Sequence, residues 1–256
     1  MIATVFAGAL SVGTLTTPSL AAGGDSSGEP TAKTKSSTTA EQTARNTGKV
    51  EQDSGTKVLP HKTYTYTGTN KSAIEQQAEN TSSTTAEAEG DLKTKNKTTQ
   101  DASNAAKVEQ GTMTALPHST LYYDGANYST IEQDAQNTTT TVTKSNGNVK
   151  STNSVKQQAS NTAEVEQGTV KALPHSTVYY EGINESYIRQ DAENTDTTVT
   201  EAGGTADVRE TVEQDTSNTA DVQQGVVKEF KHSTVYHNNT GSNTSVVEQS
   251  EKNTDN

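Results

Sequence analysis

Residues 155–167 read Val155-Lys156-Gln157-Gln158-Ala159-Ser160-Asn161-Thr162-Ala163-Glu164-Val165-Glu166-Gln167, and the reading of this stretch decides the fold. Its frame is Gln, three residues, Asn, three residues, Val, one residue, Gln. The frame recurs at Gln42/Asn46/Val50/Gln52, Gln100/Asn104/Val108/Gln110 and Gln214/Asn218/Val222/Gln224. A sister motif, Gln-x3-Asn-Thr, stands between the copies at Gln76/Asn80, Gln133/Asn137, Gln190/Asn194 and Gln249/Asn253. First-type motifs start 58, 57 and 57 residues apart, and second-type motifs 57, 57 and 59. A fixed period of this kind marks a repeat architecture. The expectation is an all-β, repetitive β-solenoid of stacked strand–turn–strand rungs, an amyloid-like ladder. The repeat domain spans 42–256 in units of about 57 residues.

Within the stretch the alternation has period two. Val155, Gln157, Ala159 and Asn161 share one face; Lys156, Gln158 and Ser160 share the other. A turn is expected near Thr162, with Ala163, Val165 and Gln167 inward again and Glu164 and Glu166 in water. No continuous apolar stripe appears at helical spacing, and the density of Thr and Asn works against helices.

Burying an amide is costly unless its hydrogen bonds are met. Stacking meets them. When the same Gln or Asn returns in the next rung, about 4.8 Å away, each side chain bonds to the one above and below. The residues expected in such ladders, and at the ends where ladders could extend, are the Gln and Asn of the eight motifs together with Gln52, Gln110, Gln167 and Gln224. Outward Glu residues also fall in columns, Glu51/Glu109/Glu166 and Glu75/Glu132/Glu248, interrupted by Gln223 and Arg189. Like charges directly opposite destabilise a sheet, so faster assembly at mildly acid pH is expected.

Composition limits the alternatives. Hydrophobic residues make up 28% of the 256, with no Trp and two Phe, which is too few for a conventional core. The regular frame distinguishes the chain from a disordered polar tail. The net charge of -12 and the scatter of basic residues disfavour nucleic-acid binding. There is no cysteine, hence no disulfide and no thiolate metal site.

Residues 1–22 differ from the rest: Met1 to Leu20 carries no charged side chain, and Ser19-Leu20-Ala21 supplies small residues. They read as a signal peptide, implying export; no later segment is apolar enough to span a membrane. Residues 23–41 read as a lead-in and assembly segment. Lys33 to Gln42 resembles Lys93 to Gln100 with two extra residues. It looks like the second half of a unit, while the segment after Asn253 looks like an unfinished one. One molecule's tail could be completed by the next molecule's head.

Two inserts separate the motifs. One carries Leu59-Pro60-His61, Leu116-Pro117-His118, Leu173-Pro174-His175 or Phe230-Lys231-His232, then a Tyr-rich strand, then a Gly/Asn turn such as Asp124-Gly125-Ala126-Asn127. In the pairs Tyr122-Tyr123 and Tyr179-Tyr180 one ring should face in and one out. The other insert is Thr-rich, Thr138 to Thr143, and turns at Ser145-Asn146-Gly147-Asn148, a tight-turn signal.

Two segments, Ala159 to Gln167 and Ser217 to Gln224, resemble the curlin repeat of curli fibre subunits. In that family a Gln and an Asn recur in each unit, and Gln follows Asn by six positions, as at Asn104/Gln110 and Asn161/Gln167. The Gln-to-Asn spacing of four is one shorter than in curlins. The resemblance implies a secreted, self-assembling, amyloid-like fibre subunit.

No nucleophile–base set stands apart from the repeats, so neither catalytic residues nor a cofactor is expected. His61, His118, His175 and His232 recur once per unit, too sparsely to suggest a metal site. Of eight Asn-x-Ser/Thr sequons, Asn80 and Asn137 fall on ladder positions and should stay unglycosylated. The expected partner is the chain itself, with a nucleator or secretion machinery as a further possibility. The expected location is extracellular, at the cell surface or in a biofilm matrix. The alternative is a monomeric β-solenoid adhesin or an ice-binding module using the Thr-rich face.

Overall fold

The computed structural model describes residues 2–16, 33–237 and 242–255. It is all-β: among the described residues there are seventeen strands and no helix. After β1 (Ile2–Thr16), the chain passes four times round the same path. The first pass is β2 (Lys33–Gln52), β3 (Thr56–Val58), β4 (Thr63–Tyr66) and β5 (Thr69–Ala88). The second is β6 (Asp91–Gln110), β7 (Met113–Ala115), β8 (Thr120–Tyr123) and β9 (Ala126–Ser145). The third is β10 (Val149–Gln167), β11 (Val170–Ala172), β12 (Thr177–Tyr180) and β13 (Ile183–Ala202). The fourth is β14 (Ala206–Gln224), β15 (Val227–Glu229), β16 (Thr234–His237) and β17 (Ser242–Asp255).

Each strand pairs in parallel with its counterpart one pass away, giving a β-solenoid with two long walls, β1-β5-β9-β13-β17 and β14-β10-β6-β2. Two sheets of short strands, β15-β11-β7-β3 and β16-β12-β8-β4, close one end. The register is that of the sequence period: Gln157 pairs with Gln100 on one side and Gln214 on the other. The longer first offset comes from the extra residue in the Asp53-Ser54-Gly55 loop, where later passes have two residues.

The rung differs from the expected one. The stretch 155–167 contains no turn; β10 runs straight through Thr162. Asn161 and Ala163 are two residues apart, so they share a face of one extended strand without any reversal. A rung is instead the whole pass of about 57 residues, and the two motif types lie on opposite walls. The turn at Asn146-Gly147-Asn148 does reverse the chain, yet the strands it joins, β9 and β10, belong to different sheets and meet through their side chains. It is an arch rather than a hairpin. Gly147 stacks so closely on the preceding arch that a Cβ would stand 2.7 Å from the carbonyl carbon of Gly90.

Other expectations shift by a few residues. The register places Lys35 on Lys93 and Lys33 on Asp91, so β2 holds no two-residue insertion. Residues 33–41 are continuous with 42–52 in β2. The Gly/Asn turn stops at Gly125, and Asn127 lies within β9, buried. Of the segment read as a signal peptide, residues 2–16 form β1 on the edge of β5. Residues 17–22, and 23–32 of the lead-in, lie outside the described residues.

The core is thin and layered. Ala44, Ala102 and Ala159 of one wall meet Ala78, Ala135 and Ala192 of the other. Beside them Val50, Val108 and Val165 pack on Ile74, Ile131 and Ile188. At the closed end Leu121, Val178, Tyr66, Tyr123 and Tyr180 fill the space between the short sheets and the walls. Tyr123 is 1% exposed and Tyr122 41%, the division expected of adjacent residues in a strand. The Leu-Pro-His segments are type II turns: Ser119 N–H donates to Leu116 O (3.1 Å), Pro117 takes the second position, and His118 takes the third at φ 62°.

Candidate assembly surface: the amide ladders

The twenty motif amides lie in five axial columns. In the first wall, Gln100 Nε2 donates to Gln42 Oε1, Gln157 to Gln100 and Gln214 to Gln157, each at 2.8 Å. Asn46 Nδ2 donates to Asn104 Oδ1, Asn104 to Asn161 and Asn161 to Asn218, each at 2.9 Å. Gln110 donates to Gln52 (2.6 Å), Gln167 to Gln110 (2.7 Å) and Gln224 to Gln167 (2.8 Å). In the opposite wall, Gln133 donates to Gln76 (2.8 Å), Gln190 to Gln133 (2.9 Å) and Gln249 to Gln190 (2.7 Å). Asn80 donates to Asn137 (2.9 Å), Asn137 to Asn194 (2.8 Å) and Asn194 to Asn253 (3.1 Å).

These amides also tie the two walls together. An NH2 group has two hydrogens, and the axial ladder uses one. The other crosses the core to a main-chain carbonyl of the facing wall: Gln76 to Ala105 O (3.0 Å), Asn80 to Asp101 O (2.8 Å), Asn104 to Asp134 O (2.7 Å), Asn137 to Gln158 O (2.7 Å). A carbonyl oxygen has two lone pairs, so it accepts this bond in addition to the one within its sheet. In the first three passes a buried Ala stands between the Gln and the Asn and lets the walls approach closely. The last pass carries Thr216 and Glu251 there and still crosses, Asn218 to Ser250 O at 2.7 Å. Ala102 and Ala135 are each fully buried, so a larger residue there would have to displace the facing wall.

A sixth column was not among the residues expected from the motifs. Asn70 donates to Asn127 (3.0 Å), Asn127 to Asn184 (2.8 Å) and Asn184 to Asn243 (2.8 Å). Their second hydrogen goes to the buried tyrosine four residues earlier: Asn70 to Tyr66 Oη (2.7 Å), Asn127 to Tyr123 (2.7 Å), Asn184 to Tyr180 (2.9 Å). Burial pushes the Tyr123 hydroxyl up from its usual value, so it is neutral and able to accept. Its signal was available, since Asn stands at the same offset in all four passes, but its neighbouring Gly drew it into a turn.

Outside the core, opposite charges also align one pass apart. Lys107 Nζ reaches Glu164 (2.8 Å) and Glu109 (3.0 Å), and Lys156 reaches Glu213 (2.9 Å). Arg45 meets Asp101 in the same manner. Lys49 beside Glu51 and Lys107 beside Glu109 offset the like-charge column expected there. The histidines also stack, at 5.2, 5.1 and 5.4 Å between ring centroids, with nearly parallel ring planes and exposed. They are one pass apart. No group of three His, Cys, Asp or Glu that could hold a metal occurs among the described residues. In the Thr-rich face, Thr139, Thr141 and Thr143 point into the core and are buried, which removes three of its five threonines from any ice-binding surface.

The columns have two ends. Toward the first pass, Gln52 Nε2, Asn70 Oδ1 and Asn80 Oδ1 are buried without a hydrogen-bond partner. Toward the last pass, the same columns end on Gln224, Asn243 and Asn253, on β14 and β17, which are edge strands of the two walls among the described residues. No family model, no curated protein and no solved structure matches the chain.

Proposed function

We propose that the chain is a secreted structural subunit that assembles head to tail into an extracellular amyloid-like fibre. The observation that supports this reading is the set of orphaned atoms at the head. Leaving a buried polar atom unpaired costs about 1–3 kcal/mol. A second copy stacked one rung away supplies each missing partner with the right polarity: Gln224 Oε1 for Gln52 Nε2, Asn243 Nδ2 for Asn70 Oδ1, Asn253 Nδ2 for Asn80 Oδ1. The identical register of all four passes means that β14 can receive β2 of the next copy, and β17 its β5. Such a contact is heterologous and does not close on itself, so it propagates as a filament. The resemblance to curlin repeats points the same way.

The test uses residues 23–256, the chain expected after export. Electron microscopy of the incubated protein should show unbranched filaments, with a meridional reflection near 4.8 Å along the fibre axis. Asn253→Leu, which removes the donor offered to Asn80 of the next copy, should slow growth while the monomer stays folded. Compact particles alone, at concentrations where the protein is soluble and folded, would overturn the reading.

A further inference from the structure

The two long walls hold unequal numbers of strands. The wall containing β5 has five, because β1 lies on its head edge; the wall containing β2 has four. Strands stack about 4.8 Å apart. Copies joined head to tail with β1 in place would therefore advance about 24 Å along one wall and about 19 Å along the other. Two walls tied together across a shared core cannot fall out of step in this way. With β1 gone the count is four and four, and each pass of one copy meets a complete pass of the next.

The residues β1 brings to this edge also differ from those of every strand that follows. Its register sets Ala7 against Gln76 and Ser11 against Asn80. The columns elsewhere carry Gln and Asn at these places, up to Gln249 and Asn253 at the tail. Asn80 Oδ1 stays buried and unpaired beside β1. The strand thus fills the backbone hydrogen bonds of the β5 edge without completing its amide ladders.

We propose that β1 is a detachable cap on the head of the subunit, occupying the edge that β17 of a second copy takes in the fibre. This rests on the fibre reading above. While β1 is in place, the β5 edge is shielded from other chains, as edge strands must be in a protein that is to remain monomeric. Loss of β1, by cleavage or by peeling, opens the edge to a strand that pairs the same backbone groups and satisfies Asn80 as well. β17 is the fitting occupant because it has the register, the Gln and Asn, and the hydrogen-bond polarity the edge lacks.

The experiment keeps the full chain and varies only the hold of β1. The chain has no cysteine, so Thr4→Cys with Ala73→Cys, at positions the register pairs, creates a single disulfide that locks the cap. In the full chain, Gly8→Pro with Ala9→Pro loosens it, since one of two successive N–H groups must face β5 and proline removes both. Filament growth is read by light scattering and microscopy beside residues 23–256. The locked protein should not grow until a reductant is added, and the proline variant should grow as the leader-free chain does. Equal growth of locked, reduced and leader-free proteins overturns the cap and leaves the fibre reading intact. Absence of filaments from all forms, the leader-free chain included, overturns the fibre reading and the cap with it.

Discussion

Gln157 and Asn161 lie four residues apart on one face of β10, yet they send their side-chain amides in opposite directions along the stack. Gln157 Nε2 donates back to Gln100, and Asn161 Nδ2 donates forward to Asn218. Every Gln column runs as the first and every Asn column as the second. Each column is a line of aligned amide dipoles, and adjacent lines of opposite sense attract where lines of the same sense would repel. The four-residue spacing thus sets two antiparallel dipole lines on each wall, with an alanine between them in the first three passes.

Asn161→Leu should destabilise the protein by about 2 kcal/mol, because it strips the acceptor from a buried N–H of Asn104. Gln158→Ala, one turn of the alternation away and facing solvent, should change stability by less than about 0.5 kcal/mol. Urea midpoints of the two variants, at unchanged slope, check the difference.

Gly111 has φ +61°, and the Cβ it lacks would fall on the Tyr123 hydroxyl and 2.9 Å from Asn127 Oδ1. Gly111→Ala should therefore cost more than the roughly 1–3 kcal/mol of a strained backbone conformation alone. Tyr123→Phe in the same chain removes the clashing oxygen. The double variant should be less destabilised than the sum of the single ones, and a double-mutant cycle by thermal unfolding measures that coupling.

His118 occupies the third position of a type II turn, where a left-handed conformation is required and glycine is the usual solution. His118→Gly should leave stability nearly unchanged, while His118→Val, branched at Cβ, should cost about 1–2 kcal/mol. A midpoint comparison of the two separates the backbone requirement from any contribution of the stacked rings.

Asp196 takes the inward position that Thr139 holds one pass earlier, and Asp255 follows it in the column. Burial, with the charges of Glu210 and Asp255, pushes its carboxyl up to about 7. The folded protein then holds this proton more tightly than the unfolded chain, so the contribution favours the fold below the usual carboxylate range. It is lost as pH rises through about 7. Stability should fall between mildly acid and neutral pH, and Asp196→Thr should flatten that slope. Urea unfolding of both proteins across this range, or hydrogen exchange of the β13 and β17 amides, gives the comparison.

The period was legible because each amide is fixed by an identical one a turn away, and such a constraint writes itself into the sequence at a constant offset. Which face Gln157, Ala159 and Asn161 share could be read from alternation alone. The path of the chain could not. Alternation is blind to whether Thr162 ends a strand or continues it, since residues on either side keep the same phase in both cases. Only the partners across the core, Gln76 with Ala105 O and Asn161 with Asp191 O, fix the two motifs on facing walls. Asn127 was misplaced for a related reason: a glycine two residues before it suggested a loop, and its tyrosine partner is recognisable only in three dimensions. The role proposed for β1 depends on a count of strands that no local pattern carries.

If the proposed fibre forms, the parallel register also sets how much material it requires. Four passes of about 4.8 Å advance the axis by about 19 Å per subunit of 27.0 kDa. Without residues 1–22, which account for about 2 kDa, a single protofilament weighs about 1.3 kDa for every ångström, and one micrometre holds some 500 copies. Scanning transmission microscopy of unstained fibres can therefore count protofilaments directly, as integer multiples of that linear density.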